Sequence, residues 1–209
     1  EKKLVKILNQ EIEFEEDNYQ EDGSVKQFLQ DNKWVLEDKE GSNVLVMKKV
    51  SGNSVVQIYF SSRSPSFNDE EEQPEDGQEK KPEGENAEGE APNQEFTDFN
   101  VYITQGKKTI AFECVSVGGE IEVNNCNVID DINVHRSMVP FGMVAVESYK
   151  GPDFATLDES LQQAMFDLLR SHGINEEVSQ LIEHLALAKE QRLYMRWLKE
   201  VKQFIDQKK

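Results

Sequence analysis

The chain has 209 residues, of which 37% are hydrophobic and 31% charged, enough to bury one sizeable core, so a single domain over 1–209 is expected. Forty-one acids against 23 Lys and Arg leave a net charge of -18, which disfavours phosphate backbones and anionic membranes as partners and favours basic ones. No stretch reaches the length of a transmembrane span, so no membrane insertion is expected, and none reads as a secretory signal. The sequence starts at Glu1 without Met and leaves a cleaved presequence open.

Residues 2–16 predict a first helix. Leu4, Ile7, Leu8 and Ile12 fall on one face, enough apolar surface to pack on one partner, for which the long terminal helix is the candidate. The pattern breaks over 17–23, and 25–29 predict one further turn. From Lys33 the period changes to alternation. Strands are predicted over 34–37, 44–50 and 55–61, separated by Gly41-Ser42-Asn43 and Ser51-Gly52-Asn53 turns. In the third of these, Val56, Ile58 and Phe60 face a core while Gln57 and Tyr59 face outward.

Residues 68–95 are a different material, with twelve acids against Lys80 and Lys81, so that this segment carries -10 of the total -18. It holds no aliphatic residue larger than Ala and no aromatic, and it cannot offset the entropy of ordering. A disordered acidic insertion within a sheet is expected, because strands resume on its far side. Its densest acids, Asp69, Glu70, Glu71, Glu72, Glu75, Asp76 and Glu79, are the candidate contact for a basic partner.

Strands follow over 96–104, 109–117 and 120–129, the last two joined by the Gly118-Gly119 hairpin signal. Residues 130–142 read as irregular and 143–149 as a seventh strand. Cys114 and Cys126, with no Asn-x-Ser/Thr signal anywhere, fit a reducing setting and read as small strand residues.

Thr156 and Glu159 predict a capping box for a helix from Leu157, with apolar Leu157, Leu161, Ala164, Met165, Leu168 and Leu169 and a closing Gly173. Asn175 predicts the cap of a second helix that meets no Gly or Pro before Lys209. Its apolar surface is wider than one neighbour can cover. The candidate packing residues are Leu185, Tyr194, Trp197, Leu198, Val201, Phe204 and Ile205. Such a helix either lies flat on a large sheet or touches both its own sheet and another subunit.

Catalytic patterns are missing. The chain has no Gly-rich phosphate loop, His-Glu-x-x-His helix, Gly-x-Ser-x-Gly elbow or Cys-x-x-Cys pair, and His135, His172 and His184 are scattered. No cofactor or metal site is expected. Asp69 to Glu72 lack the alternating ligands and central Gly of a calcium loop. Basic patches interleaved with aromatics are also lacking, so direct nucleic-acid readout is not expected.

Several runs resemble the mitochondrial acidic matrix proteins, also called the mitochondrial glycoprotein family. They are Tyr149-Lys150-Gly151-Pro152, Leu157-Asp158-Glu159-Ser160-Leu161-Gln162 and Arg170-Ser171-His172-Gly173-Ile174. Further on, Lys189-Glu190, Tyr194, Trp197-Leu198 and Lys202-Gln203-Phe204-Ile205 continue the likeness. The resemblance implies an α+β fold: a seven-stranded twisted antiparallel sheet flanked by one N-terminal and two C-terminal helices, in a doughnut-shaped homotrimer. It also implies a mitochondrial matrix address and no enzymatic activity. The animal member of the family is known as a binder of complement globular heads and of hyaluronan. Members are described as multi-ligand adaptors or chaperone-like proteins that support mitochondrial translation and oxidative phosphorylation, which here means holding basic ribosomal or respiratory assembly clients. Two alternatives remain: a cation or polyamine buffer, and an enzyme whose site is assembled across subunits.

Overall fold

The computed structural model describes residues 2–19, 23–63, 96–138, 149 and 151–206. Two helices, α1 (Lys2–Asn18) and α2 (Gly23–Asp31), precede a meander of six strands. These are β1 (Val35–Asp38), β2 (Val44–Ser51), β3 (Ser54–Ser61), β4 (Phe96–Gln105), β5 (Lys108–Val117) and β6 (Glu120–Ile129). A short helix α3 (Ile132–Met138), a 3-10 turn (Phe154–Thr156), α4 (Glu159–Ser171) and α5 (Glu176–Asp206) follow. The strands lie in sequence order, every neighbouring pair antiparallel. The six predicted strands coincide with the six found, to within a residue at each end, because alternation and turn residues agree at every hairpin.

One face of the sheet is the core. Leu45 and Met47 of β2, Val56, Ile58 and Phe60 of β3, and Phe99, Val101 and Ile103 of β4 are buried beneath Val178, Leu181, Ile182, Leu185 and Ala186 of α5. Each of these side chains except Ala186 contributes about 1.5–3 kcal/mol by leaving water. In β6 the core-facing positions pass from Ile121 and Val123 to Cys126, a switch from odd to even numbers. A bulge causes it: Cys114 pairs with Val123 and Glu113 with Asn125, leaving Asn124 as an extra residue.

Four expectations are corrected. The predicted Thr156–Glu159 capping box is not formed, because Leu157 is extended (φ -70, ψ 157) and separates the 3-10 turn from α4. Asp158 is the cap instead, its carboxylate accepting from the Ser160 backbone N–H at 3.0 Å, while the Thr156 hydroxyl donates to the Asp153 carbonyl. The single turn predicted at 25–29 is a nine-residue helix, since Val25, Phe28 and Leu29 pack on the core cluster. Residues 132–138, read as irregular, form α3 through packing on the sheet's other face. Trp34 stands outside β1 and is buried against the core, with the Lys49 ammonium 4.3 Å above its ring. The predicted seventh strand and the acidic insertion fall outside the described residues, except for Tyr149, which is not in a strand.

The close of α4 is as the sequence predicts. Gly173 has φ +72, Ile174 N–H donates to the Leu169 carbonyl (3.0 Å) and Gly173 N–H to that of Arg170 (2.8 Å). Asn175 then caps α5, its side-chain oxygen accepting from Val178 N–H at 3.1 Å.

Beyond its apolar stretch α5 acts as a rack of cations. The Lys189 ammonium, buried at 3% exposure, donates to the Asp38 carboxylate and to the Lys39 carbonyl (2.9 Å). Arg192 reaches the second oxygen of Asp38 at 2.5 Å, and Arg196 lies 3.5 Å from Glu40. One helix thus holds the β1–β2 turn. On its other flank α5 carries α1: Lys199 pairs with Glu16 (2.7 Å), and the Tyr194 hydroxyl donates to Glu11 (3.1 Å). The exposed pairs contribute at most about 1 kcal/mol each.

Removing one partner of a buried pair is costly, because the other charge stays buried. Asp38→Ala is expected to lower unfolding stability by about 3 kcal/mol, read from urea denaturation. Adding Lys189→Met should recover most of that loss, since an apolar side chain of similar length needs no counter-charge.

Candidate functional site

The acids proposed for a basic partner, Asp69, Glu70, Glu71, Glu72, Glu75, Asp76 and Glu79, lie outside the described residues. The seven candidate packing residues of α5 are separated by the fold. Leu185 and Leu198 are buried inside the protomer at 5% and 3% exposure. Tyr194, Val201 and Ile205 are half-buried, and Trp197 and Phe204 are exposed at 54% and 63%. Trp197 stacks on Tyr194 with ring centres 6.1 Å apart, so the tie to Glu11 also steadies the exposed indole. Leu4, Ile7 and Phe14 of α1 are exposed as well. Phe14 was not singled out in the sequence; lying seven positions after Ile7, it belongs with it on one helical face, which was the available signal.

The outer face of the sheet carries a polar and aromatic cluster that sequence reasoning missed. Tyr102 of β4 is fully buried there, its hydroxyl 3.0 Å from His135 Nδ1 of α3. Tyr59 of β3 meets the Tyr102 ring edge to face at 5.6 Å, and the Arg136 guanidinium lies 3.9 Å above Tyr59. His135 Nε2 faces Glu113 of β5 at 3.6 Å. Burial pushes the pKa of the Tyr102 hydroxyl still further above that of an ordinary tyrosine. Burial also lowers the His135 pKa, and the nearby Glu113 carboxylate offsets this only in part. Burial thus favours the neutral forms of Tyr102 and His135 at the centre of the cluster, and the separation of these two by 33 positions in sequence hid it from any local pattern.

A pH effect follows from the depressed value. Neutral His135 is favoured in the folded state, so below about pH 6.5 the unfolded chain binds a proton that the folded one resists, and stability falls with pH. Wild type should lose more melting temperature than His135→Gln between about pH 7 and pH 5. Equal losses in thermal scans would show that His135 is not the responsible group.

The two cysteines are free, Cys114 buried and Cys126 half-buried on neighbouring strands. Burial raises both thiols, that of Cys126 to about 11, which leaves no reactive thiolate near neutral pH. Among the described residues no group of three His, Cys, Asp or Glu side chains is placed to hold a metal ion. Ser116 and Ser179 are also buried and bonded to each other, and Ser116 Oγ donates to Glu183 Oε1 at 2.6 Å. The same carboxylate oxygen accepts from Gly119 N–H (3.0 Å), so this network ties the β5–β6 turn to α5.

Cavities open on the described surface. One, of about 470 Å³, lies on the outer face beside α3, lined by Gln57, Tyr59, Thr104 and Asp130. Another, of about 520 Å³, lies where β6, α4 and α5 begin or end together. Ile121, Phe166, Leu169 and Ile174 give it an apolar floor, and Glu120, Glu176 and Glu177 stand at its rim.

Comparison with known proteins finds relatives by sequence and solved structures that share the fold. Mitochondrial acidic protein mam33 of Schizosaccharomyces pombe is 30% identical over 97% of this chain and 78% of its own length. The mitochondrial complement component 1 Q subcomponent-binding protein of Mus musculus is 25% identical over 98% of this chain and 72% of its own. Among solved structures, the Trypanosoma brucei p22 protein superposes with a TM-score of 0.67 over 98% of this chain and 97% of that one, at 18% identity. A Leishmania major protein described as a sequence homologue of human p32 gives 0.68 over 96% and 97%, also at 18% identity. The mitochondrial glycoprotein family profile matches residues 8–205, and the chain belongs to that family of mitochondrial proteins.

Proposed function

We propose that the protein is a non-enzymatic, acidic multi-ligand adaptor of the mitochondrial matrix that holds basic client proteins in a chaperone-like manner. Ribosomal or respiratory assembly proteins, acting in translation and oxidative phosphorylation, are the client class. The observation that carries this reading is the charge balance. A net -18 is concentrated in part over 68–95, while Lys189, Arg192, Arg196 and Lys199 of α5 are taken up in pairs within the chain. What remains to face a partner is predominantly negative. A relative named for binding a complement subcomponent supports a protein, rather than a small molecule, as the ligand.

We further propose that the working unit is a homotrimer. Trp197, Phe14, Leu4 and Ile7 leave large apolar side chains in water on α1 and α5, two helices that pack together, and a larger apolar patch built from them would mark a surface that a partner covers. Trp197→Glu combined with Phe14→Glu is expected to shift sedimentation from trimer to monomer with the circular dichroism unchanged. A trimer that survives both substitutions would place the subunit contact elsewhere.

Client binding should be driven by long-range attraction, which is screened over about 8 Å at physiological salt. Changing Asp69, Glu70, Glu71, Glu72, Glu75, Asp76 and Glu79 to Asn or Gln is expected to slow association with a Lys/Arg-rich client more than it speeds dissociation. Stopped-flow fluorescence at graded salt measures both rates. Binding that survives the substitutions and about 0.5 M salt (a screening length of roughly 4 Å) would exclude this segment as the binding element.

A further inference from the structure

We propose that the groove between β6, α4 and the start of α5 is a docking site for a basic, amphipathic peptide segment, a proposal that rests on the basic-client reading and gives it an address. At about 520 Å³ it falls within the range of about 300–1,000 Å³ typical of ligand clefts. Phe166 and Ile121 are half-buried over fully buried Leu169 and Ile174, so the floor offers apolar contact that water leaves readily. The occupant follows from charge complementarity. Glu120, Glu176 and Glu177 are exposed around this floor, and among the described residues none of the three is in an ion pair. Arg170, the cation at the rim, is turned to Asp167 at 3.4 Å.

Lys and Arg side chains fit such a surface. Their methylene stems lie on apolar ground while the charged ends reach acids at the edge. A purely acidic patch would attract a cation without holding it, and an apolar groove alone would take any hydrophobic segment. Glu176 and Glu177 also suit the positive end of α5. That does not account for Glu120, which comes from β6 and owes nothing to the helix start. The cavity beside α3 is the weaker candidate, because its Asp130 is already paired with Lys108 at 2.5 Å.

The test uses the full chain and three fluorescein-labelled peptides: alternating Lys-Leu, its Glu-Leu counterpart, and a Lys-Ser peptide of the same charge. The Lys-Leu peptide is expected to bind best, Lys-Ser more weakly, and Glu-Leu not at all. Gln163→Trp, which places an indole from an exposed position of α4 into the groove, should weaken Lys-Leu binding about tenfold and equally at all salt concentrations. Glu120→Gln with Glu176→Gln and Glu177→Gln should weaken it about three- to tenfold at low salt and less at high salt. If both variants, folded by circular dichroism, bind as wild type does, the groove is wrong and the basic-client reading stands with its site elsewhere. If wild type binds no Lys-Leu peptide, both fall. A photo-crosslinking Lys-Leu peptide on the unaltered chain decides independently of any variant. Adducts within 163–177 or at 120–121 support the groove, and adducts confined to other segments overturn it.

Discussion

The rest of the structure depends on the contact between α5 and one face of the sheet. Six strands in a meander form a layer whose inner side is an apolar surface. Val178, Leu181, Ile182, Leu185 and Ala186 are what covers it. The other helices are placed by consequence. Asn175 and Gly173 set the angle between α4 and α5, α1 rests on the half of α5 that runs beyond the sheet, and the β1–β2 turn is fixed by the buried ammonium of Lys189. A helix of 31 residues can do this because its length exceeds the width of the layer it covers.

The same helix shapes the electrostatics. In a chain with 41 acids and 23 Lys and Arg, each cation paired within the protomer takes up an acid with it, so the excess of acids is left to set the field outside. Lys189 and Arg192 meet one carboxylate, Asp38, and Lys199 meets Glu16 on α1. Stability therefore draws on the paired charges that lock the turn and α1, and client attraction on the acids that those pairs leave over. Glu120, Glu176 and Glu177, left at an apolar groove, are where that imbalance meets a shape.

The two faces of the sheet are stabilised by different physics. The inner face is closed by area, with aliphatic side chains under a helix and little that depends on pH. The outer face, where α3 lies, relies on oriented contacts among Tyr59, Tyr102, His135, Glu113 and Arg136. Directional contacts of this kind specify one arrangement but are sensitive to protonation, because burial favours the neutral imidazole.

By itself the sequence determined the six strands, the Schellman close of α4, the Asn175 cap and the length of α5. These are local: period, turn residues and caps act within a few positions of one another. It also determined the charge imbalance, which is additive and needs no fold. Only the tertiary structure decided that Leu185 and Leu198 are internal while Trp197 is exposed, because a helix face is divided among neighbours that its own pattern cannot name. It likewise decided that Asp158, not Thr156, caps α4, since packing of Phe154 at 3% exposure draws the preceding turn inward and leaves Leu157 extended. The His135 cluster and the groove were equally hidden. Each joins residues tens of positions apart, and the contacts exist only once the sheet's register and the placing of α5 have brought them within a few ångströms.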